Sequence, residues 1–165
     1  MALIELVFFG YRDFVGEPDR VLARFRFGRA HHRVLHFVNR RSGLTIAALL
    51  DILGITKQSL ARVLKDLIEG GFIEQRSGAD DRRQRLLHLT DTGAMLAREL
   101  AERQGRRIAE ALKEAGPDSR DIIARFLMGL IERGEREHIK AMIGSSAPSA
   151  SITPAGHAPT SKGLA

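Results

Sequence analysis

The sequence predicts a mostly α-helical protein with a small β-wing: a winged helix-turn-helix head on a helical dimerisation stalk. Three observations predict it. Two short apolar-periodic segments, Leu44 to Leu53 and Thr56 to Gly70, are separated only by Gly54 and Ile55. Two β-patterned runs follow, joined by a charged tip that contains glycine. Long apolar stripes with helical spacing precede and follow this unit, and they can pack on its core or build a stalk that joins two copies.

The elements follow in chain order. Ala2 to Val15 reads as a first helix, with Leu3, Leu6, Val7, Tyr11 and Phe14 on one face. Gly16-Glu17-Pro18 is expected to interrupt it, and Pro18 suits the first turn of a new helix running to Phe25. Gly28 to Arg41 is the next helix, with Val34, Leu35, Phe37 and Val38 as core residues. Arg40 to Gly43 is a basic connection that either touches phosphate or stays solvated.

The reading unit begins at Leu44. Leu44, Ala48, Leu49, Ile52 and Leu53 can pack on the helix that follows, and Gly54 ends their own. So short a connection forces a sharp angle between the two helices. Thr56 is the expected N-cap of the second, its hydroxyl accepting from an orphan backbone N–H. Gly70 and Gly71 stop that helix. At about 100° per residue, Leu60, Val63, Leu64, Leu67 and Ile68 fall on one side. Lys57, Gln58, Ala61, Arg62 and Lys65 fall on the other. Such a face supplies what a major groove takes, long donors beside a small residue. Phe72 to Arg76 and Gln84 to Leu89 read as strands around the tip Ser77 to Asp81. Arg82 and Arg83 stand where the tip turns back, and a guanidinium there suits a narrow, electronegative minor groove.

Thr90 caps a long helix to about Ala115, with Met95, Leu96, Leu100, Ile108 and Leu112 on its buried side. Gly116-Pro117-Asp118 breaks it. A last helix is expected from Ser119 to Ile143, with Ile122, Ile123, Phe126, Leu127, Leu130 and Ile131 forming a wide stripe. Residues 144–165 are rich in Ser, Ala, Pro and Gly and almost uncharged, a composition expected to be disordered. The division is therefore residues 1–28 and 91–143 for dimerisation, 29–90 for the reading head, and 144–165 as a tail.

Composition narrows the function classes. The formal net charge is +6, consistent with a polyanionic partner. There is no Cys, which excludes disulfides, thiolate catalysis and cysteine redox sensing. The apolar run Ala2 to Phe9 contains Glu5 and lacks a basic lead-in, so it does not read as a signal peptide. No run is long enough to span a membrane, and the chain reads as cytoplasmic. No nucleophile with a base and orienter occurs in pattern, nor a phosphate-cradling glycine loop. Asp80 and Asp81 in a hairpin tip are turn formers, so the chain is not expected to be an enzyme. His31, His32 and His36 invite a metal, since His32 and His36 are four apart on one face, but only Asp13, Glu17 and Asp19 are candidate further ligands. The reading is no metal and no cofactor. Tyr11, His32, His36 and Phe37 are instead candidate lining residues of a small-molecule pocket, with a purely structural role as the alternative.

The segment from about Arg33 to Gly93 resembles the MarR family (multiple antibiotic resistance regulators). The resemblance is carried by Thr56-Lys57-Gln58-Ser59, Gly71-Phe72-Ile73, Asp81-Arg82-Arg83, Leu87-His88-Leu89 and Thr90-Asp91-Thr92-Gly93. It implies that Thr56, Lys57, Gln58, Ser59, Arg62 and Lys65 lie near the major groove. It implies that Arg83 reaches the minor groove, braced by Asp81. It implies a homodimer on pseudo-palindromic double-stranded DNA, exchanging terminal helices between subunits and released by a small-molecule effector. Arg29 departs from the family's usual Ser or Thr at the start of its helix. The function expected is a sequence-specific transcriptional regulator, a repressor; the alternative is a winged helix that binds a protein and not specific DNA.

Overall fold

A computed structural model describes residues 2–78 and 82–144. The expected tail, apart from Gly144, lies outside the described residues, as does Asp81. The elements run α1 (Ala2–Ala23), α2 (Arg29–Arg40), β1 (Leu44–Thr45), α3 (Ile46–Leu53), α4 (Lys57–Glu69), β2 (Ile73–Ser77), β3 (Arg85–Leu89), α5 (Asp91–Ala115), α6 (Ser119–Leu130), a short 3₁₀ turn (Arg133–Glu135) and α7 (Arg136–Gly144). The three strands form one antiparallel sheet in the order β1-β3-β2.

The helix-turn-helix closes as its turn chemistry requires. Thr45 Oγ1 accepts from Ala48 N at 3.1 Å and starts α3. Gly54 ends it in the left-handed region, at φ 59. The Arg33 guanidinium, reaching from α2, donates to Leu53 O at 2.7 Å and satisfies a terminal carbonyl of α3. Thr56 Oγ1 then accepts from Ser59 N at 3.2 Å and starts α4. Leu60, Val63, Leu64 and Leu67 of α4 are buried with Leu49 and Leu53 of α3, Val34, Leu35 and Val38 of α2, and Leu96 and Leu100 of α5.

Five expectations are corrected. α1 is one helix through Pro18, not two. An interior proline costs about 3 kcal/mol, but here Val15, Pro18, Val21 and Leu22 are all buried, and Glu17 pairs with Arg103 of α5 at 2.7 Å. Packing therefore holds the helix through the break. Leu44 and Thr45 are strand, not helix: Gly43, at φ 85, turns the chain so that Leu44 pairs with Leu87. The last helix is two. Ile131 leaves α6 in an extended conformation, and Arg136 caps that end by donating to Ile131 O at 2.9 Å and Gly129 O at 2.8 Å. Ile68 is 36% exposed, because it sits at the edge of the apolar arc of α4. Met95 and Ile108 are exposed as well, since no element among the described residues covers that side of α5.

The junction after the wing is the tightest point of the fold. The Thr90 hydroxyl donates to Gly71 O at 2.6 Å and accepts from Gly93 N at 3.1 Å. Thr90 N donates to Phe72 O at 3.1 Å. A Cβ on Gly93 would stand 1.9 Å from that same Phe72 oxygen. Backbone meets backbone there, so no rotamer change relieves the clash. Gly93→Ala is expected to cost at least about 2 kcal/mol. Thermal denaturation should show a melting temperature lower by roughly 5 °C or more; an unchanged transition would contradict the close approach.

Candidate nucleic-acid interface and candidate effector cavity

α4 presents its polar face to solvent because its apolar face is fully used. Lys57, Gln58, Ser59, Arg62 and Lys65 are all exposed, and Ala61 lies among them. Thr56 is exposed too, and its hydroxyl is occupied: it caps Ser59 N and donates to Ser59 Oγ at 2.9 Å. Lys65 approaches Glu69, one turn on, at 3.9 Å. An exposed pair of that length is weak and leaves the ammonium available.

The wing is a regular two-stranded ribbon, Ile73 opposite Leu89 through Ser77 opposite Arg85. Gly78 N donates to Gln84 O at 3.1 Å and closes it towards the tip. Arg85 donates to Ser77 Oγ at 3.0 Å, and Arg76 Nε to Glu74 Oε1 at 2.9 Å. Arg82 and Arg83 are exposed in the turn before β3. The two expected DNA-contacting sets therefore lie on separate elements of one head. The basic connection behaves differently from expectation. Arg41 and Arg40 donate to the carbonyls of Met142 and Ile143, tying α7 to the end of α2.

The four expected pocket residues are brought together. Tyr11, His32, His36 and Phe37 line one cavity of ≈ 370 Å³, with Phe14 and Val15 of α1 and Gln104 of α5. Arg29 and Arg33 line it as well. Sequence reasoning passed over these two, although Arg29, His32, Arg33 and His36 recur at the i, i+3, i+4 spacing that defines one helix face. Gln104 carried no such signal, since α5 meets α1 and α2 only through tertiary packing.

Arg29 is held by Asp19, Nε to Oδ2 at 2.9 Å, and its guanidinium lies 5.6 Å above the Tyr11 ring. The other Asp19 oxygen is buried with no protein partner among the described residues. Burial is the main cause that pushes His32 below the ordinary histidine value of 6.5, against the opposing pull of Asp19. Burial also pushes His36 down, helped by the positive charge of Arg40 and, once it is protonated, by His32. Both rings are therefore neutral at pH 7, each offering one donor and one acceptor to an otherwise apolar space. Among the described residues, no group of three or more His, Asp or Glu is placed to hold a metal ion. No helix there is long and apolar enough to cross a membrane.

Comparison with known proteins agrees with this geometry. A family model described as MarR family matches residues 27–84. The chain is 46% identical over 139 residues to the HTH-type transcriptional regulator PetP of Rhodobacter capsulatus, covering 84% of each chain. The chain belongs to the MarR family. It is a transcriptional regulator of MarR type and not an enzyme. Among solved MarR-type structures, a putative family member from Listeria monocytogenes complexed with 26mer DNA superposes with TM-score 0.67 at 16% identity, over 88% of this chain and 97% of that one. A MarR variant from E. coli complexed with operator DNA gives 0.62 at 20% identity, over 80% and 95%. These two establish the winged-helix fold.

The lowered values of His32 and His36 fix the sign of a pH effect. Their neutral forms are favoured in the folded state, so the unfolded chain binds protons first as pH falls. Stability is complete above the ordinary histidine value of 6.5 and is lost as pH drops through it towards the lower folded values. The midpoint of urea unfolding should fall between about pH 7 and pH 5. A His32→Gln, His36→Gln double variant should flatten that slope; an equal slope in both proteins would assign the effect elsewhere.

Proposed function

We propose that this MarR-family protein is a homodimeric, sequence-specific DNA-binding repressor, released when a small molecule occupies the cavity at Tyr11, His32, His36 and Phe37. One observation carries the DNA-binding reading. The solvent face of α4 holds Lys57, Gln58, Ser59, Arg62 and Lys65 around the small Ala61, and Arg82 and Arg83 stand exposed at the end of the adjoining ribbon. Long donors on a helix suit base edges and phosphates, and guanidiniums on a ribbon suit the minor groove. Asp81 would brace Arg83, as the family resemblance implies. Such a protein acts where the DNA is, in the cytoplasm.

The dimer reading is supported by apolar surface that the chain leaves open. Leu3, Leu6 and Phe8 of α1 are 66%, 64% and 67% exposed, and Leu127 and Leu130 of α6 are 53% and 59% exposed. A surface of this extent calls for a partner. A second copy covers it by symmetry, with residues 1–28 and 91–143 as the dimerisation part. Two copies of α4 would then lie about 34–36 Å apart, in successive major grooves of a pseudo-palindrome. The cavity lies where α1 and α5 meet α2, between that dimerisation part and the head. An effector that prefers one spacing of the heads shifts DNA affinity by its differential affinity for the two spacings, and by no more.

Two measurements test this reading. With a fluorescent duplex carrying the inverted repeat nearest the protein's own gene, Arg83→Ala should lose roughly ten-fold or more in specific affinity without a change in melting temperature. Wild-type binding should also weaken steeply with salt. Unchanged affinity in anisotropy titrations would remove the wing from the interface. In sedimentation, the wild type should run as a dimer and the Leu6→Glu, Leu127→Glu double variant as a folded monomer. A monomeric wild type would defeat the dimer.

A further inference from the structure

A second cavity opens at the other end of the recognition helix from Thr56. It has a volume of ≈ 400 Å³ and lies between the turn after α1 and the junction of α4 with β2. Three phenyl rings form its wall. Phe25 and Phe27 each meet Phe72 edge-on, at 5.2 Å and 76° and at 5.1 Å and 74°. Asp66 and Glu69 of α4 supply two carboxylates beside them, and Gly70 closes the helix end. A Cβ on Gly70 would stand 3.1 Å from the Phe72 ring, so glycine is what lets the ring lie against the helix.

The charges are arranged for a cation. The C-terminal end of a helix is the negative end of its dipole, and both carboxylates belong to the last turn of α4. Asp66 is fixed from behind. Gly28 N donates to His31 Nδ1 at 3.1 Å, so the ring proton sits on Nε2, which donates to Asp66 Oδ2 at 3.1 Å. His31 also stacks on Phe27, with centroids 4.6 Å apart and planes at 11°, which holds that wall in place. Asp66 keeps its second oxygen for another donor, and Lys65 reaches Glu69 only at 3.9 Å. Arg26 is the only cation among the lining residues, and the Arg24 guanidinium, paired with Glu99, lies 5.8 Å over the Phe25 ring. Arg26 occupies a left-handed position, φ 59, in the turn that ends α1. Among the described residues it makes no ion pair with either carboxylate.

We infer that this cavity, walled by Phe25, Phe27 and Phe72 and edged by Asp66 and Glu69, binds an organic ammonium ion with an apolar body. Aromatic faces attract a cation through their quadrupoles, and the carboxylates pair with its charge. The site is separate from the Tyr11 and His36 cavity, and it stands whether or not that cavity binds an effector.

The test is a protein-detected NMR titration of the full chain with three probes that share one body: phenethylammonium, phenethyl alcohol and phenylacetate. The expected result is saturable shifts at Phe27, Asp66 and Phe72 with the ammonium. The neutral and anionic probes should bind at least roughly five-fold more weakly. Glu69→Gln, which leaves the bond between His31 and Asp66 intact, should weaken the ammonium by a similar factor and leave the alcohol unchanged. Asp66→Asn should do the same, with thermal denaturation checking that it folds. Equal binding of all three probes would overturn the inference and leave a merely apolar groove. So would shifts confined to Tyr11 and His36, or no saturable binding at all.

Discussion

The Thr90 hydroxyl is the contact on which the geometry of the reading head depends. It sits where three elements meet: the end of α4, the start of β2 and the start of α5. One oxygen donates to Gly71 and accepts from Gly93, and it thereby fixes the exit of the recognition helix relative to the helix that leaves the head. The approach is close enough that only glycine fits at position 93. If the contact opened, the first turn of α5 would lose its cap, and the Phe72 carbonyl would lose the Thr90 N–H that donates to it. The orientation of α4 would then rest on its apolar packing and on the His31–Asp66 bond.

The recognition helix itself is built against local preference. Helix dipoles favour acidic residues in the first turn and basic ones in the last. α4 has the reverse, with Lys57 at its start and Asp66 and Glu69 near its end. The Thr56 cap and four buried side chains, Leu60, Val63, Leu64 and Leu67, offset this. A helix whose charges served only its own stability would be inverted. The proposed contact with DNA accounts for the inversion, since it would bring a polyanion to the N-terminal half of this face.

Much of the head was legible in the sequence because its signals are local. Thr56, Gly54, Gly71 and Thr90 act on neighbours a few residues away, and caps and turns read directly from such residues. The clustering of Tyr11, His32, His36 and Phe37 was legible for a similar reason, since three of the four share one helix. What was not legible depended on distant partners. Pro18 stays helical because it is buried and its neighbour Glu17 is held by Arg103 of α5, and no local rule contains α5. Leu44 and Thr45 become strand because Leu87 and Leu86, more than 40 residues on, accept them as partners. The break at Ile131 needed Arg136 to fold back onto α6, a side-chain cap with no fixed spacing. The cavity at Phe25 and Phe72 joins residues from separate turns and had no sequence signature at all.

The two-residue strand β1 is the smallest element of the fold, and it sets a mechanical condition. Leu44 and Thr45 attach the first helix of the reading motif to the return strand of the wing, and Gly43 N adds a bond to Leu87 O at 2.9 Å. Ser42 Oγ meets His88 Nδ1 beside it, at 2.9 Å. The wing is thus bolted to the front of the motif and, through Thr90, to its back. A part fastened at both ends transmits torque without deforming. In the proposed regulation, a molecule bound where α1 and α5 meet α2 would therefore turn helix and wing together, as a key turns with its bow, changing the aim of the head and not its shape.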